Sequence, residues 1–187
     1  RQASDLVIVG DPNPSFMLSW RNDITLFNDL TISFLFDGVF NFDIWNGTKG
    51  ALNNFGVTGA SADRADLWVE NGHQVYSYAD PNNPVPVNKQ EKYWTYYNGF
   101  NINEPFIEDG TFIKLRELSV SYRWKGLEQW NIGDIVFTLA ARNLFTITDY
   151  TGYDPEVNTF SLAEGRGIDY FTLPQMRSYR FSLSINY

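Results

Sequence analysis

An all-β fold is predicted, in which five antiparallel strands form part of a transmembrane β-barrel wall with long loops on one side. Three observations predict it. Several stretches alternate apolar and polar residues with period two, as a strand with one greasy and one wet face must. The connections between those stretches are short and long in turn, the rhythm of an up-and-down barrel with short periplasmic turns. The chain is also rich in aromatics (17 %) but poor in charge (19 %), and no run of eighteen apolar residues offers a membrane helix.

The clearest alternation is the last one. In residues 178–187, Tyr179, Phe181, Leu183, Ile185 and Tyr187 share one side, and Ser178, Arg180, Ser182, Ser184 and Asn186 share the other. The two tyrosines bound the apolar face, roughly 19 Å apart along the membrane normal for a strand tilted near 45°. Outer-membrane barrels carry an apolar band of about 25 Å flanked by aromatic girdles. The edge strand of a soluble sandwich alternates too, although charge or proline usually protects such an edge.

The other strands follow in order. Residues 16–27 place Phe16, Leu18, Trp20, Ile24 and Leu26 on one face, against Ser19, Arg21, Asp23 and Thr25. Asn28-Asp29 is turn chemistry. Residues 30–44 then send Leu30, Ile32, Phe34, Phe36, Phe40 and Phe42 outward, with Thr31, Ser33, Asp37, Asn41 and Asp43 opposite. In 111–124 the parity slips, because Ile113 and Leu115 share one register and Leu118, Val120, Tyr122 and Trp124 the other. A slip of one residue turns every later side chain to the wrong face, so a β-bulge is expected near Arg116-Glu117. Residues 134–145 alternate Ile135, Phe137, Leu139 and Ala141 with Thr138, Ala140 and Arg142, and 177–187 close the set. The long loops, 45–110 and 146–176, and residues 1–14 then fall on the extracellular side, and the C-terminus is expected in the periplasm. Five strands cannot close such a barrel, so other polypeptide completes the wall.

Several functions are disfavoured. A net charge of −8 without a Lys/Arg cluster argues against nucleic acid. With no cysteine and His73 as the sole histidine, disulfides, zinc and a catalytic triad lack support. Asp154, Glu156 and Asn158 alternate like early calcium ligands, but Thr159 and Gly165 stand where an EF-hand needs Gly and Glu. Gly152 and Pro155 are read instead as shaping a rigid loop. The carboxylate pairs Asp63/Asp66 and Glu108/Asp109 are read as solvated, a short helix is expected over 60–69, and Gly165-Arg166-Gly167 lacks the context of a dinucleotide site. No enzyme, metal or cofactor is expected. The first ten residues do not read as a signal peptide.

Candidate contact residues fall into three groups. Trp45, Trp68, Tyr76, Trp94, Tyr96 and Tyr97 stand in the first long loop among amide and carboxylate side chains. Such aromatics suit self-packing, a protein partner, or a sugar or peptide. Arg21, Asp37, Asp43, Arg142 and Arg180 face the lumen of such a barrel and are candidates for contact with whatever fills it. Tyr179, Phe181, Leu183, Ile185 and Tyr187 form the candidate membrane-assembly strand.

Five stretches carry a family resemblance: GDPNPSF (10–16), DLTISFLFDGVFNFDIWNGT (29–48), FIEDGTFIKLRELSVSYRW (106–124), ARNLFTITDYTGYDPEVN (141–158) and LPQMRSYRFSLSINY (173–187). In type and order they resemble the C-terminal end of the SusC/RagA family, the TonB-dependent outer-membrane transporters of Bacteroidetes. The resemblance implies the last five strands of a barrel of about twenty-two, whose plug domain and TonB box are not among these residues. It also implies partners: the remainder of the barrel and its plug, a SusD-like surface lipoprotein, TonB, outer-membrane lipid, and a glycan or peptide substrate. The alternatives are a soluble β-sandwich carbohydrate-binding module and a passive porin-type barrel. A sandwich would cover the Phe34/Phe36/Phe40 face with a second sheet of the same chain, whereas a barrel leaves it bare.

Overall fold

A computed structural model describes residues 7–77, 79–92, 102–126, 133–159 and 165–186. The chain opens on a hairpin of β1 (Phe16–Leu26) and β2 (Leu30–Phe40), turning where Phe27 and Asn28 take φ of 51° and 63°. Two successive left-handed residues give the turn that matches the twist of the flanking strands, and Asn tolerates that backbone well. Next come β3 (Asp43–Asn46) and helix α1 (Gly47–Asn54). Two small hairpins follow, β4 (Val69–Glu70) with β5 (His73–Gln74) and β6 (Tyr76–Ser77) with β7 (Val85–Pro86). Then β8 (Ile107–Asp109) leads into β9 (Phe112–Lys125), β10 (Asp134–Arg142), β11 (Thr146–Thr148), β12 (Ile168–Asp169) and β13 (Ser178–Asn186).

The long strands make one antiparallel sheet in the order β1-β2-β9-β10-β13, with β11 continuing beside the upper end of β9. Its register aligns the apolar faces across all five. Ile32 stands between Ile24 and Val120, Val120 is opposite Leu139, and Leu139 is opposite Phe181. Stacked and edge-on contacts link Phe16 with Phe40, and Trp20 with Phe34 and Phe36, worth about 0.5–1.5 kcal/mol each beyond area burial. Only Asn22 and Gly38 interrupt this face. Among the described residues no second layer covers it: Phe16, Leu139 and Phe181 are 55 %, 57 % and 67 % exposed. A water-soluble monomer rarely leaves so large an apolar patch open. The opposite face carries the charged side chains, with hydrogen bonds from Ser19 to Asp37 and between Ser121 and Thr138.

The expected bulge is present. Leu35 pairs with Glu117 and Phe36 with Leu115, which leaves Arg116 as the extra residue. Arg116 bonds Asp37 and Glu117 meets Arg142, so two successive side chains reach the polar face. The bulge thus adds an inward cation while Leu115 and Leu118 both keep the apolar face.

Two expectations are corrected. The strand expected over 30–44 breaks at Asn41, whose φ is +60°, so Phe42 turns inward instead of out and Asp43 joins a different sheet. That sheet, β12-β3-β8, stands at the loop end of the wall on a core of Phe42, Ile44, Phe112 and Tyr150. In place of a helix over 60–69 there is one 3₁₀ turn, Gly59–Ser61, leading through turns to β4. The helix stands earlier, as α1, where the Asn46 side chain caps it by accepting from the Lys49 N–H at 2.9 Å.

Candidate functional site

The polar face and the second long loop meet at the loop end of β9. Lys114 alternates with Ile113 and Leu115, so it points inward, and residues 154–157 fold over it. Its Nζ lies 3.0 Å from Asp154 Oδ1 and 2.9 Å from Glu156 Oε2, with the Phe112 ring centroid at 5.5 Å. Arg116 forks between two acids: its Nε and Nη2 donate to Asp37 at 3.0 and 2.8 Å, and Nη1 and Nη2 donate to Glu156. Asp154 also accepts the backbone N–H groups of Glu156 and Gln175. Three carboxylates and two cations therefore tie the loop to the inner wall. The Lys114 side chain is 2 % exposed, so this charge is held by its partners and not by water. The chain's own cations take the acids that resemble early calcium ligands.

A second network braces the small sheet. Glu108 accepts from Lys49 Nζ at 2.7 Å and from the Thr151 N–H and hydroxyl at 2.8 Å each. Burial opposes its ionisation, but the Lys49 and Thr151 hydrogen bonds outweigh burial and hold the carboxyl below its ordinary value. Tyr150 donates its hydroxyl to Asp169 at 2.7 Å, and burial, then the Asp169 carboxylate, pushes the phenol far above its usual range. It remains a donor at every physiological pH. Because the folded value of Glu108 lies below the unfolded one, its contribution is complete above about 4.5 and fades as pH falls through the folded value. A wild type more stable than Glu108→Gln at pH 6, with the gap closing on acidification below pH 4.5, is the expected result in paired thermal melts.

Beside this network a cleft of about 380 Å³ opens between α1 and residues 151–153, lined by Lys49, Leu52, Asn53, Thr58, Tyr153 and Asp169 among others. Gly152 shapes its edge, since a Cβ there would collide with the Tyr150 ring. A comparable constraint acts at Gly167, where φ is +71° and a Cβ would sit 2.6 Å from Pro12 and 2.9 Å from the Asp43 carbonyl.

The structure separates the residues expected from sequence to make contacts. Trp45 stacks on Tyr170 at 6.2 Å and donates its indole N–H to Asn103, so its ring packs within the chain. Trp68 is buried and serves packing rather than an outer surface. Tyr76 is exposed on its hairpin, while Trp94, Tyr96 and Tyr97 lie outside the described residues. Of the inward charges, Asp37 joins the ionic cluster, Arg21 pairs with Asp23, and Arg142 meets Glu117 beside Arg180. Asp43 is corrected: it accepts from the Asp11 N–H in the small sheet and does not line the wall. Tyr179, Phe181, Leu183 and Ile185 stand on the bare apolar face, and Tyr187 lies outside the described residues. The acids read as solvated are also engaged: Glu108 as above, and Asp63 with Asp66 around Lys89.

No family model matches the chain. It is 24 % identical over 191 residues to the TonB-dependent receptor P3 of Formosa agariphila, which covers 98 % of this chain and 17 % of that protein. Among solved structures, it superposes on the RagAB peptide importer in the 'closed-closed' state with a TM-score of 0.59 at 19 % identity, over 99 % of this chain and 19 % of that one. The fold is that of a RagA-type barrel wall. The 'open-open' state of RagAB gives a TM-score of 0.55 at 19 % identity, over 85 % of this chain and 16 % of the other. The five-stranded sheet is thus an open section of a RagA-type barrel, and the chain spans under a fifth of the length of the relatives it matches.

The structure also engages side chains whose contacts sequence reasoning did not foresee: Lys114, Arg116, Glu108, Tyr150 and Asp169. A signal for the first two was present. Parity sends Lys114 inward, and the bulge expected at Arg116 carries a second cation to the same face. The pairing of Glu108 with Lys49 and Thr151 joins residues 59 and 43 positions apart, and local pattern holds no trace of it.

Proposed function

We propose that this chain is part of the wall of an outer-membrane, TonB-dependent transporter that imports glycans or oligopeptides together with a SusD-like surface lipoprotein. One observation carries the reading: an uncharged face runs unbroken in register across five strands, while the charges gather on the other face. Lipid accepts such a surface, and a hydrated lumen filled by a plug accepts its reverse. Likeness to a TonB-dependent receptor and to a peptide importer supports the transport reading, and the family resemblance supplies the lipoprotein, TonB and a plug. The wall itself is a conduit and not an enzyme. Its loop end, carrying the small sheet and the pinned loop, faces the cell exterior and the lipoprotein, and the turn end with the C-terminus faces the periplasm.

The test is uptake of labelled oligopeptides and oligosaccharides by cells making the complete receptor, with and without TonB. Uptake that needs both receptor and TonB is the expected result. Uptake that persists without TonB would favour a passive pore and end the proposal.

A further inference from the structure

We propose that the cleft between α1 and residues 151–153 is a peptide subsite, which takes one apolar side chain of an extended oligopeptide while Asn53 holds an adjacent backbone carbonyl. This rests on the import reading above and chooses between its two classes of cargo.

The choice comes from which polar groups in the cleft are already occupied. Asp169 accepts from Tyr150 and Thr48 and from the Thr172 N–H. Asn46 accepts from the Lys49 N–H and donates to Glu108 and Thr151. Thr58 bonds Asn53 and Ser61. Few polar ends remain. Asn53 is only 8 % exposed, and the Thr58 hydroxyl occupies its Oδ1 at 2.8 Å, leaving Nδ2 without a partner among the described residues. Lys49 Nζ bonds Glu108 and Thr151 and keeps a third proton. Tyr153 is 78 % exposed at the entrance.

Such a cleft is chiefly carbon-walled, with Asn53 and Lys49 in its lining, at the small end of the usual ligand-pocket range. A pyranose ring would bring several hydroxyls, each both donor and acceptor, against a largely carbon lining whose Asp169, Asn46 and Asn53 oxygens are already engaged. Each hydroxyl buried without a partner opposes binding. An apolar peptide side chain needs no polar partner, and the carbonyl beside it takes the Asn53 N–H. The exposed Tyr153 ring covers the side chain from the solvent side.

The experiment is calorimetric titration of the complete receptor, purified in detergent, with a tetra-alanine peptide carrying one leucine, with tetraglycine, and with cellotetraose. The leucine peptide should bind about tenfold more tightly than tetraglycine. Asn53→Asp keeps the acceptor for Thr58 but removes the free donor, and Tyr153→Ala alters only an exposed ring, so both should fold. Each should weaken the leucine peptide about tenfold. Failure of the wild type to bind the leucine peptide, unchanged affinity in both variants, or competition by cellotetraose would overturn the subsite. TonB-dependent uptake in the same strains separates the two readings: if it persists while binding is unaltered by the variants, the subsite falls and the transporter stands.

Discussion

Val120→Arg is expected to remove most of the receptor from the outer membrane. Val120 lies near the middle of β9 on the apolar face, between Ile32 of β2 and Leu139 of β10. All three side chains are uncharged, and nothing described on that side of the sheet offers a counter-ion. A guanidinium placed there meets hydrocarbon, at a cost of about 2–4 kcal/mol near the bilayer midplane. That penalty is a large fraction of the stability of a typical domain. The neighbouring Ser119→Arg is the control, because Ser119 stands between Ser33 and Ala140 on the polar face and its replacement would reach water. Outer-membrane levels of folded receptor, read by heat-modifiable gel mobility, should fall for the first variant and hold for the second. Equal levels would contradict the assignment of faces.

Lys114→Met should release the second long loop from the wall. The methionine fills much the same space but leaves Asp154, whose side chain is 7 % exposed, facing Glu156 without the intervening ammonium. Removing one partner of a buried charge pair typically costs about 3–5 kcal/mol, because the remaining charge stays desolvated. Arg116 still holds Glu156 and Asp37, so the wall itself should assemble. Hydrogen exchange should therefore accelerate at the Glu156 and Gln175 N–H groups, which donate to Asp154, and stay slow in β1 and β2. The double variant Lys114→Met/Asp154→Asn removes the stranded charge and should regain part of the protection. Unchanged exchange in the single variant would mean that the ionic cluster does not hold the loop.

Both expectations show where local pattern is informative and where it stops. Period-two alternation ties each side chain to a face, so the apolar surface was legible residue by residue, and so was the bulge, as a break in parity at Arg116. The end of β2 was not. Phe40 and Phe42 continue the alternation without a fault, but Asn41 adopts a left-handed backbone and Phe42 joins Ile44, Phe112 and Tyr150. Burial against residues far along the chain overrides a locally good strand pattern. The loop aromatics illustrate the same limit. Composition suggested contact surfaces for Trp45 and Trp68, but their rings had partners available within the fold, Tyr170 for the first. The charged cluster combines both sources: parity aims Lys114 and Arg116 inward, and only the folded loop supplies Asp154 and Glu156.

The long strands, their two faces and the bare apolar surface follow from the order of residues, because each depends on a repeat of two along an extended backbone. What covers the inner face, which acids neutralise which cations, and the cleft beside α1 arise when segments separated by tens of residues pack together. Those contacts are chosen by shape and desolvation between distant parts of the chain, and such preferences leave no periodic mark on the residues that make them.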